Sequence, residues 1–319
     1  MARPSWIERV PLGVLSPAGA RARLAIFTYH RVLPDRDSLL PDEPDARFFA
    51  EQMQWLARYY QVLPLADAVG LMREARLPER AACITFDDGY ANNLDIAQPL
   101  LKKLGLTATV FIATDAIERG IMWNDMVIEA VRRAGASIAA VHLEPLGLAG
   151  PLPANNATID ALLEQLKYRP LADRWDLAAE LFRCVTGAEP PRLMLTPDSI
   201  RALADAGVAI GAHTVHHPIL KTQSADEARS EIVASRRWLG AILQAPPVAF
   251  AYPNGRPGRD YDESHVEMVR AAGFTHAVST SWGCATRASD VFQLPRVAFW
   301  DRSRMRYWLR SLKTYASSY

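Results

Sequence analysis

Short, almost unbroken apolar runs alternate with longer amphipathic stretches along this chain, and that alternation limits the possible folds more than any other feature. The runs are LAIFTY (24–29), ACITF (82–86), TATVFIA (107–113), VAIGAH (208–213), PVAFAY (247–252) and THAVST (275–280). Strands that are apolar throughout must be covered on both faces, which calls for parallel pairing with helices between the strands. The intervening segments agree. RFFAEQMQWLARYY (47–60) sets Phe49, Met53, Leu56 and Tyr60 at helical spacing, and SADEARSEIVASRRWLGAIL (224–243) opens with Ser224 and Glu227 in a capping-box pattern. The expected class is α/β: a parallel sheet covered on both faces, or a β/α barrel. Half of the 319 residues are apolar, which supplies the core such a fold needs.

Chemistry in these folds collects at the C-terminal ends of the strands. His30 ends the first run, Asp87 and Asp88 follow ACITF, His213 ends VAIGAH, and Tyr252 to Gly255 end PVAFAY. These polar ends share one sense and converge on one mouth. Adjacent carboxylates repel, and neither is buried cheaply without a partner. An Asp-Gly turn facing water would account for them; so would a cation at Asp88 that leaves Asp87 free to move protons. The histidines favour the cation. GAHTVHHPIL (211–220) holds three of the chain's 7 histidines. The spacing His213-x3-His217 brings two imidazoles to one ion if the loop folds back, because Pro218 disfavours helix at His217. Two imidazoles and one carboxylate suit Zn²⁺ with a position left open for water. His216 is expected to point away from the ion.

The remaining features exclude other classes. A net charge of +1 leaves no footprint for nucleic acid. No apolar run approaches the ~20 residues of a membrane-crossing helix. The segment MARPSWIERVPLGVLSPAGARAR is broken by Glu8, Pro11 and Pro17 and makes a poor leader, so a cytoplasmic location is expected. Cys83, Cys184 and Cys284 lack CxxC spacing and read as free thiols. From about 115 to 195 no strand is evident; NDMVIEAVRRAG and ATIDALLEQLKY read as helices joined by a Pro/Gly/Ala-rich linker at 145–156. This stretch is expected to be a helical insertion at the mouth without a self-contained apolar core, inside a single domain spanning 1–319. The tail DRSRMRYWLRSLKTYASSY (301–319) interleaves Arg302, Arg304, Arg306, Arg310 and Lys313 with Met305, Trp308, Leu309 and Leu312. It suits either peripheral contact with an anionic membrane or a last helix packed on the barrel.

TFDDG (85–89) followed by HTVHHP (213–218) resembles the first two motifs of the polysaccharide deacetylase family, the NodB-homology carbohydrate esterases, over roughly residues 81–297. The resemblance implies a distorted (β/α) barrel of about seven strands that removes acetyl groups from N-acetylated sugars of a bacterial exopolysaccharide or envelope glycan. It also implies one divalent ion, Zn²⁺ by the chemistry of the ligands. Asp87 matches the family's base, and Asp88, His213 and His217 match its metal ligands. The ion acidifies water, Asp87 takes the proton, and a backbone N–H steadies the oxyanion. Past Pro253 the first such donor is the amide of Asn254, beside Gly255.

Two positions depart from the family. AYPNG (251–255) stands where Arg-x-Pro-Tyr-Gly belongs, so Ala251 replaces the arginine that orients the base; Arg296 in LPRV (294–297) and Arg31 are the substitutes on offer. FQLPRV lacks the histidine of the family's Leu-x-His motif. The poly-N-acetylglucosamine deacetylase branch carries instead an N-terminal strand ending in Tyr-His, matched by TYHRV (28–32), which makes His30 the expected acid. Trp123 in MWND and Trp282 are expected to line a sugar groove, with Tyr252, Asn254 and Arg296 as further candidates for contact with substrate or oxyanion. The missing arginine and histidine also allow a carbohydrate-binding barrel without turnover, and the same ion and base would serve an amidase of non-sugar C–N bonds.

Overall fold

The run Ala81–Phe86 is buried at every position, as a strand covered on both faces must be. In the computed structural model, which describes residues 6–139 and 144–316, it pairs on either side with parallel neighbours. In chain order the strands are Ala25–Tyr29 (β1), Gln61–Val62 (β2), Ala81–Phe86 (β3), Thr109–Ile112 (β4), Ser137–Ile138 (β5), Leu152–Pro153 (β6), Ala209–Ala212 (β7), Ala249–Ala251 (β8), His276–Trp282 (β9) and Leu294–Arg296 (β10). The main sheet runs β1-β3-β4-β7-β8-β9-β10, parallel throughout, with β2 beside the start of β3. Its ends meet: Thr28 N–H donates to Val297 O at 3.0 Å, and Val297 N–H donates to Ile26 O at 2.8 Å. The result is a nearly closed (β/α) barrel, as the sequence led one to expect.

Alternate strand residues separate into two apolar groups. Ile26, Cys83, Phe111, Ala249, Val278 and Leu294 share one cluster, closed off by the helix Leu65–Arg73. Phe27, Ile84, Val110, Ile112 and Phe250 belong to the cluster that receives the surrounding helices. Gly211 shows how tightly the sheet is filled: a Cβ there would lie 2.4 Å from the Phe111 ring and 3.0 Å from Ala249 O. Ser224 and Glu227 form the capping box read from the sequence, opening the helix Ala225–Leu243.

The segment between β4 and β7 differs from expectation in two respects. Its helices Trp123–Arg133, Asn156–Lys167 and Leu171–Thr186 pack around an apolar cluster of their own, including Val127, Val131, Leu162, Leu166 and Phe182. It also contains the small antiparallel pair β5–β6. The helical stripes are visible in the sequence; their convergence on one another is a tertiary fact.

The tail forms the helix Arg304–Ala316 against the helices Trp6–Leu15 and Ala46–Tyr59. Tyr307 and Tyr315 are buried in the main core, with the Tyr307 ring 5.1 Å from that of Phe299. Met305 and Leu309 stay exposed among the arginines. Residues 1–5 and 317–319, the outermost parts of the segments read above as a poor leader and as a basic tail, lie outside the described residues. Among the described residues no helix is long and apolar enough to cross a membrane.

Candidate active site

The C-terminal ends of β1, β3, β7 and β8 open into one cavity of about 760 Å³. Its wall includes His30, Asp87, Asp88, His213, His217, Tyr252 and Asn254 from the barrel, with Trp123, Glu164 and Arg174 from the insertion. The convergence expected from the strand ends is therefore realised.

Asp88, His213 and His217 form the innermost group, with ligand atoms all within 4.8 Å of one another. Asp88 Oδ1 lies 3.6 Å from His213 Nε2 and 3.6 Å from His217 Nε2, too far for hydrogen bonds. That oxygen is buried and has no hydrogen-bond partner among the described residues. A tetrahedral ion with bonds of about 2.0–2.1 Å holds its ligands about 3.4 Å apart, so this spacing and chemistry fit a divalent cation. The tautomer fits as well: His213 Nδ1 lies 2.7 Å from Ala251 O, and a proton donated there leaves the Nε2 lone pair facing Asp88. Burial, with help from His213 and Arg174, holds His217 well below its ordinary pKa and keeps it neutral.

The backbone is bent to deliver these groups. Asp88 has φ 74° and His217 has φ 52°, both left-handed. Gly89 follows at φ +93°, and a Cβ on it would stand 2.8 Å from Ile112 Cδ1, which explains the glycine after the aspartate pair. The histidine loop folds back as required because Glu231 Oε2 accepts from the N–H groups of Val215 and His216, each at 2.9 Å. Glu231 Oε1 is 2.6 Å from His216 Nδ1, which turns His216 away from the cluster as expected. From the insertion, Arg174 Nη2 donates to His216 O at 3.0 Å.

Asp87 sits beside this cluster without belonging to it. Arg296 grips it in a bidentate pair: Nη1 to Oδ1 at 2.7 Å and Nη2 to Oδ2 at 2.7 Å. Nη1 also donates to Thr85 Oγ1 at 3.3 Å, and Nε donates to Ser279 O at 2.9 Å. Burial alone would raise the Asp87 pKa, but the guanidinium overrides it and holds the carboxyl far below the usual range. The question left open by Ala251 thus has its answer: the orienting cation comes from β10. Arg296 is consequently not a substrate or oxyanion contact, since its fork is spent on Asp87 and its side chain is buried. Arg31 is engaged elsewhere, donating to Asp125 Oδ1 at 2.9 Å, while Tyr90 donates to Asp125 Oδ2 at 3.0 Å. Burial still pushes Asp125 up to about 6.

His30 is exposed to the cleft, and its backbone carbonyl accepts from Asn93 Nδ2 at 3.0 Å. Desolvation pulls its pKa down, but the carboxylates of Asp88, Glu43 and Asp87 outweigh this and leave it raised. Asn254, at φ 58°, lines the cavity; its carbonyl accepts from Thr280 Oγ1 at 2.7 Å, and its N–H has no partner among the described residues. Tyr252 offers no ring face to a sugar, being fully buried and stacked on Tyr261 at 3.8 Å. Trp123 stands in the wall, under the Arg174 guanidinium. Trp282 is not part of this wall; it is 47% exposed, with its ring stacked on Phe299. Position at a strand end does not determine the side to which the ring turns.

Glu231 and Arg174 went unnoticed in the sequence. Each is an ion on the buried stripe of an amphipathic helix: Glu231 among Ala228, Ile232 and Leu239, Arg174 in line with Ala178 and Leu181. A charge in an apolar stripe is the signal that would have found both.

A parallel (β/α) barrel with a buried Asp-His-His cluster and a separate arginine-held carboxylate at its mouth defines a hydrolase of the barrel type. The profile of the family described as polysaccharide deacetylase matches residues 74–277. YxkH of Bacillus subtilis (strain 168) is 23% identical over 278 residues, spanning 86% of this chain and 71% of that protein. The solved structure of the Streptococcus pyogenes deacetylase PplD in complex with acetate superposes with a TM-score of 0.59 at 19% identity, covering 87% of this chain and 92% of that one. IcaB from Ammonifex degensii gives a TM-score of 0.59 at 16% identity, covering 93% and 98%. The chain belongs to the polysaccharide deacetylase family. It is a hydrolase acting on a carbon–nitrogen bond, a polysaccharide N-deacetylase.

Proposed function

We propose that the chain hydrolyses the acetamido groups of an N-acetylated bacterial exopolysaccharide or envelope glycan, using one divalent ion, Zn²⁺ by its ligand set, held by Asp88, His213 and His217. The observation that carries this reading is the unpartnered, buried Asp88 Oδ1 equidistant from two imidazole nitrogens, with Asp87 alongside but held apart by Arg296. Bound there, such an ion supplies Lewis acidity, polarising an amide carbonyl and acidifying water. Asp87, ionised across the working pH range, accepts the proton of the attacking water at a carboxylate oxygen. The N–H of Asn254 faces the carbonyl oxygen as negative charge gathers on it. His30, with its pKa raised by neighbouring carboxylates, carries a proton to the leaving nitrogen as the C–N bond breaks, so that acetate and a free amine leave. The insertion supplies one side of the cleft through Trp123, Glu164 and Arg174. Peripheral membrane contact is part of the proposal, supported by Met305 and Leu309 exposed beside Arg304 and Arg310 on the last helix. The test is acetate release from N-acetylglucosamine oligomers by metal-loaded protein. Release that chelator and Asp87→Asn both abolish supports the reading; release that survives chelation overturns it.

A further inference from the structure

One cation near the centre has no ion-pair partner among the described residues. Arg174, on the insertion helix Leu171–Thr186, is 5% exposed. Its guanidinium carbon lies 4.8 Å from the centre of the Trp123 ring, and Nη2 is used on His216 O. Its Nε is buried with no hydrogen-bond partner among the described residues. Two of the acids nearby are committed elsewhere, and Asp176, also in the wall of the second cavity, makes no ion pair with Arg174 among the described residues. Asp115 pairs with Arg119 at 2.6 Å, and Glu231 is occupied by the 215–216 amides and the His216 ring. Burial, only partly opposed by Glu231, lowers the Arg174 pKa to about 10. An unpaired buried guanidinium is strongly unfavourable until a counter-charge reaches it.

The position of Arg174 indicates where that charge would come from. It lines the main cleft and also a second cavity of about 320 Å³, which shares Trp123 and His217 with the first. Trp175, held by Arg119 with the guanidinium carbon 4.0 Å from its ring centre, forms another wall. The volume lies in the lower part of the range for small-ligand sites. A planar guanidinium over one tryptophan, with a second tryptophan in the wall of the same cavity, matches a planar or tetrahedral oxyanion attached to a ring.

We propose that this second cavity is an anion subsite, in which Arg174 receives a carboxylate or phosphate carried by the sugar next to the one that is deacetylated, with Trp123 and Trp175 flanking that sugar. The proposal rests on the glycan reading above for the identity of the ligand, and the test keeps the two apart. Binding is measured by calorimetry on the metal-loaded full chain with three probes: a neutral N-acetylglucosamine tetramer, a tetramer alternating glucuronate with N-acetylglucosamine, and an N-acetylglucosamine tetramer bearing 6-phosphate. At least one anionic probe is expected to bind about tenfold more tightly than the neutral one, and the probe showing the gain identifies carboxylate or phosphate as the source. Arg174→Gln should reduce that advantage to within about twofold, while Arg174→Lys retains part of it. Wild-type protein that binds all three probes within about twofold overturns the proposal without any variant being made. An advantage that survives Arg174→Gln overturns the assignment to this residue. Acetate release is followed in parallel. An anionic preference in binding with no acetate from any probe would defeat the deacetylase reading and leave the subsite standing.

Discussion

Replacing Arg296 by methionine would strand the Asp87 carboxylate. The side chains of the pair are 1% and 5% exposed and meet through two contacts of 2.7 Å, and no second arginine or lysine pairs with Asp87 among the described residues. Breaking a buried pair from one side costs about 3–5 kcal/mol. At about 1.4 kcal/mol per pKa unit, the same loss appears at Asp87 as an upward shift of about 2–4 units. In the native protein the folded pKa of Asp87 is depressed, so the pair contributes its full stability above the unfolded value of about 3.9 and loses it as pH falls through the folded value. In the variant burial is opposed only by the neighbouring histidines, so the depression shrinks and the stability gained above the unfolded value is lost with it. The assay is kcat/KM for acetate release across pH 4–9 (about the range a soluble enzyme tolerates), with urea midpoints at the same pH values. The native profile should be free of an Asp87 limb, the upward shift of about 2–4 units should bring one to the acid end of the range, and Arg296→Lys should move it less because a charge remains. A profile still free of that limb in a folded, metal-replete Arg296→Met protein, with stability within about 0.5 kcal/mol of native, would refute the reasoning.

Three further outcomes are expected. His30→Ala should abolish acetate release while metal content, read by atomic absorption, stays at the native level; undiminished release would remove His30 from the mechanism. Glu231→Gln keeps the size of the side chain but weakens its hold on the 215–216 amides, so competition with a metal-sensitive dye should show affinity reduced about tenfold, and an unchanged constant would mean the loop holds itself. Met305→Ser with Leu309→Ser should reduce sedimentation with anionic liposomes at low salt; equal partitioning ends the membrane proposal. Point changes are preferable to deleting the tail, because deletion would also remove the buried Tyr307 and Tyr315.

Much of the barrel was legible because its strands announce themselves twice, as apolar runs and as runs with polar ends. The Asp-His-His cluster followed from the spacing of residues close to those ends. What stayed hidden depends on distances that no local pattern encodes. β10 has only the residues Leu294–Arg296, with a proline in the middle, and carries no strand signal by itself. Its arginine reaches a carboxylate 209 residues earlier in the chain. Choosing between Arg296 and Arg31 required knowing that Asp125 claims Arg31. Trp282 was misplaced because a strand end fixes a level in the barrel and not a direction. The insertion's own core was missed for a related reason: each helix shows its stripe, but which stripes meet depends on the turns between them.

Pairing Asp87 of β3 with an arginine of the final stave has a consequence for the seam of the barrel. The residues proposed to hold an ion follow strands in the middle of the chain, whereas the proposed base depends on β10, which lies between β9 and the seam to β1. Opening of that seam would part Arg296 from Asp87 while β3 and β7, which carry Asp88 and His213, stay joined through β4. The two backbone bonds that shut the cylinder, Thr28 to Val297 and Val297 to Ile26, therefore also hold the arginine within reach of its carboxylate.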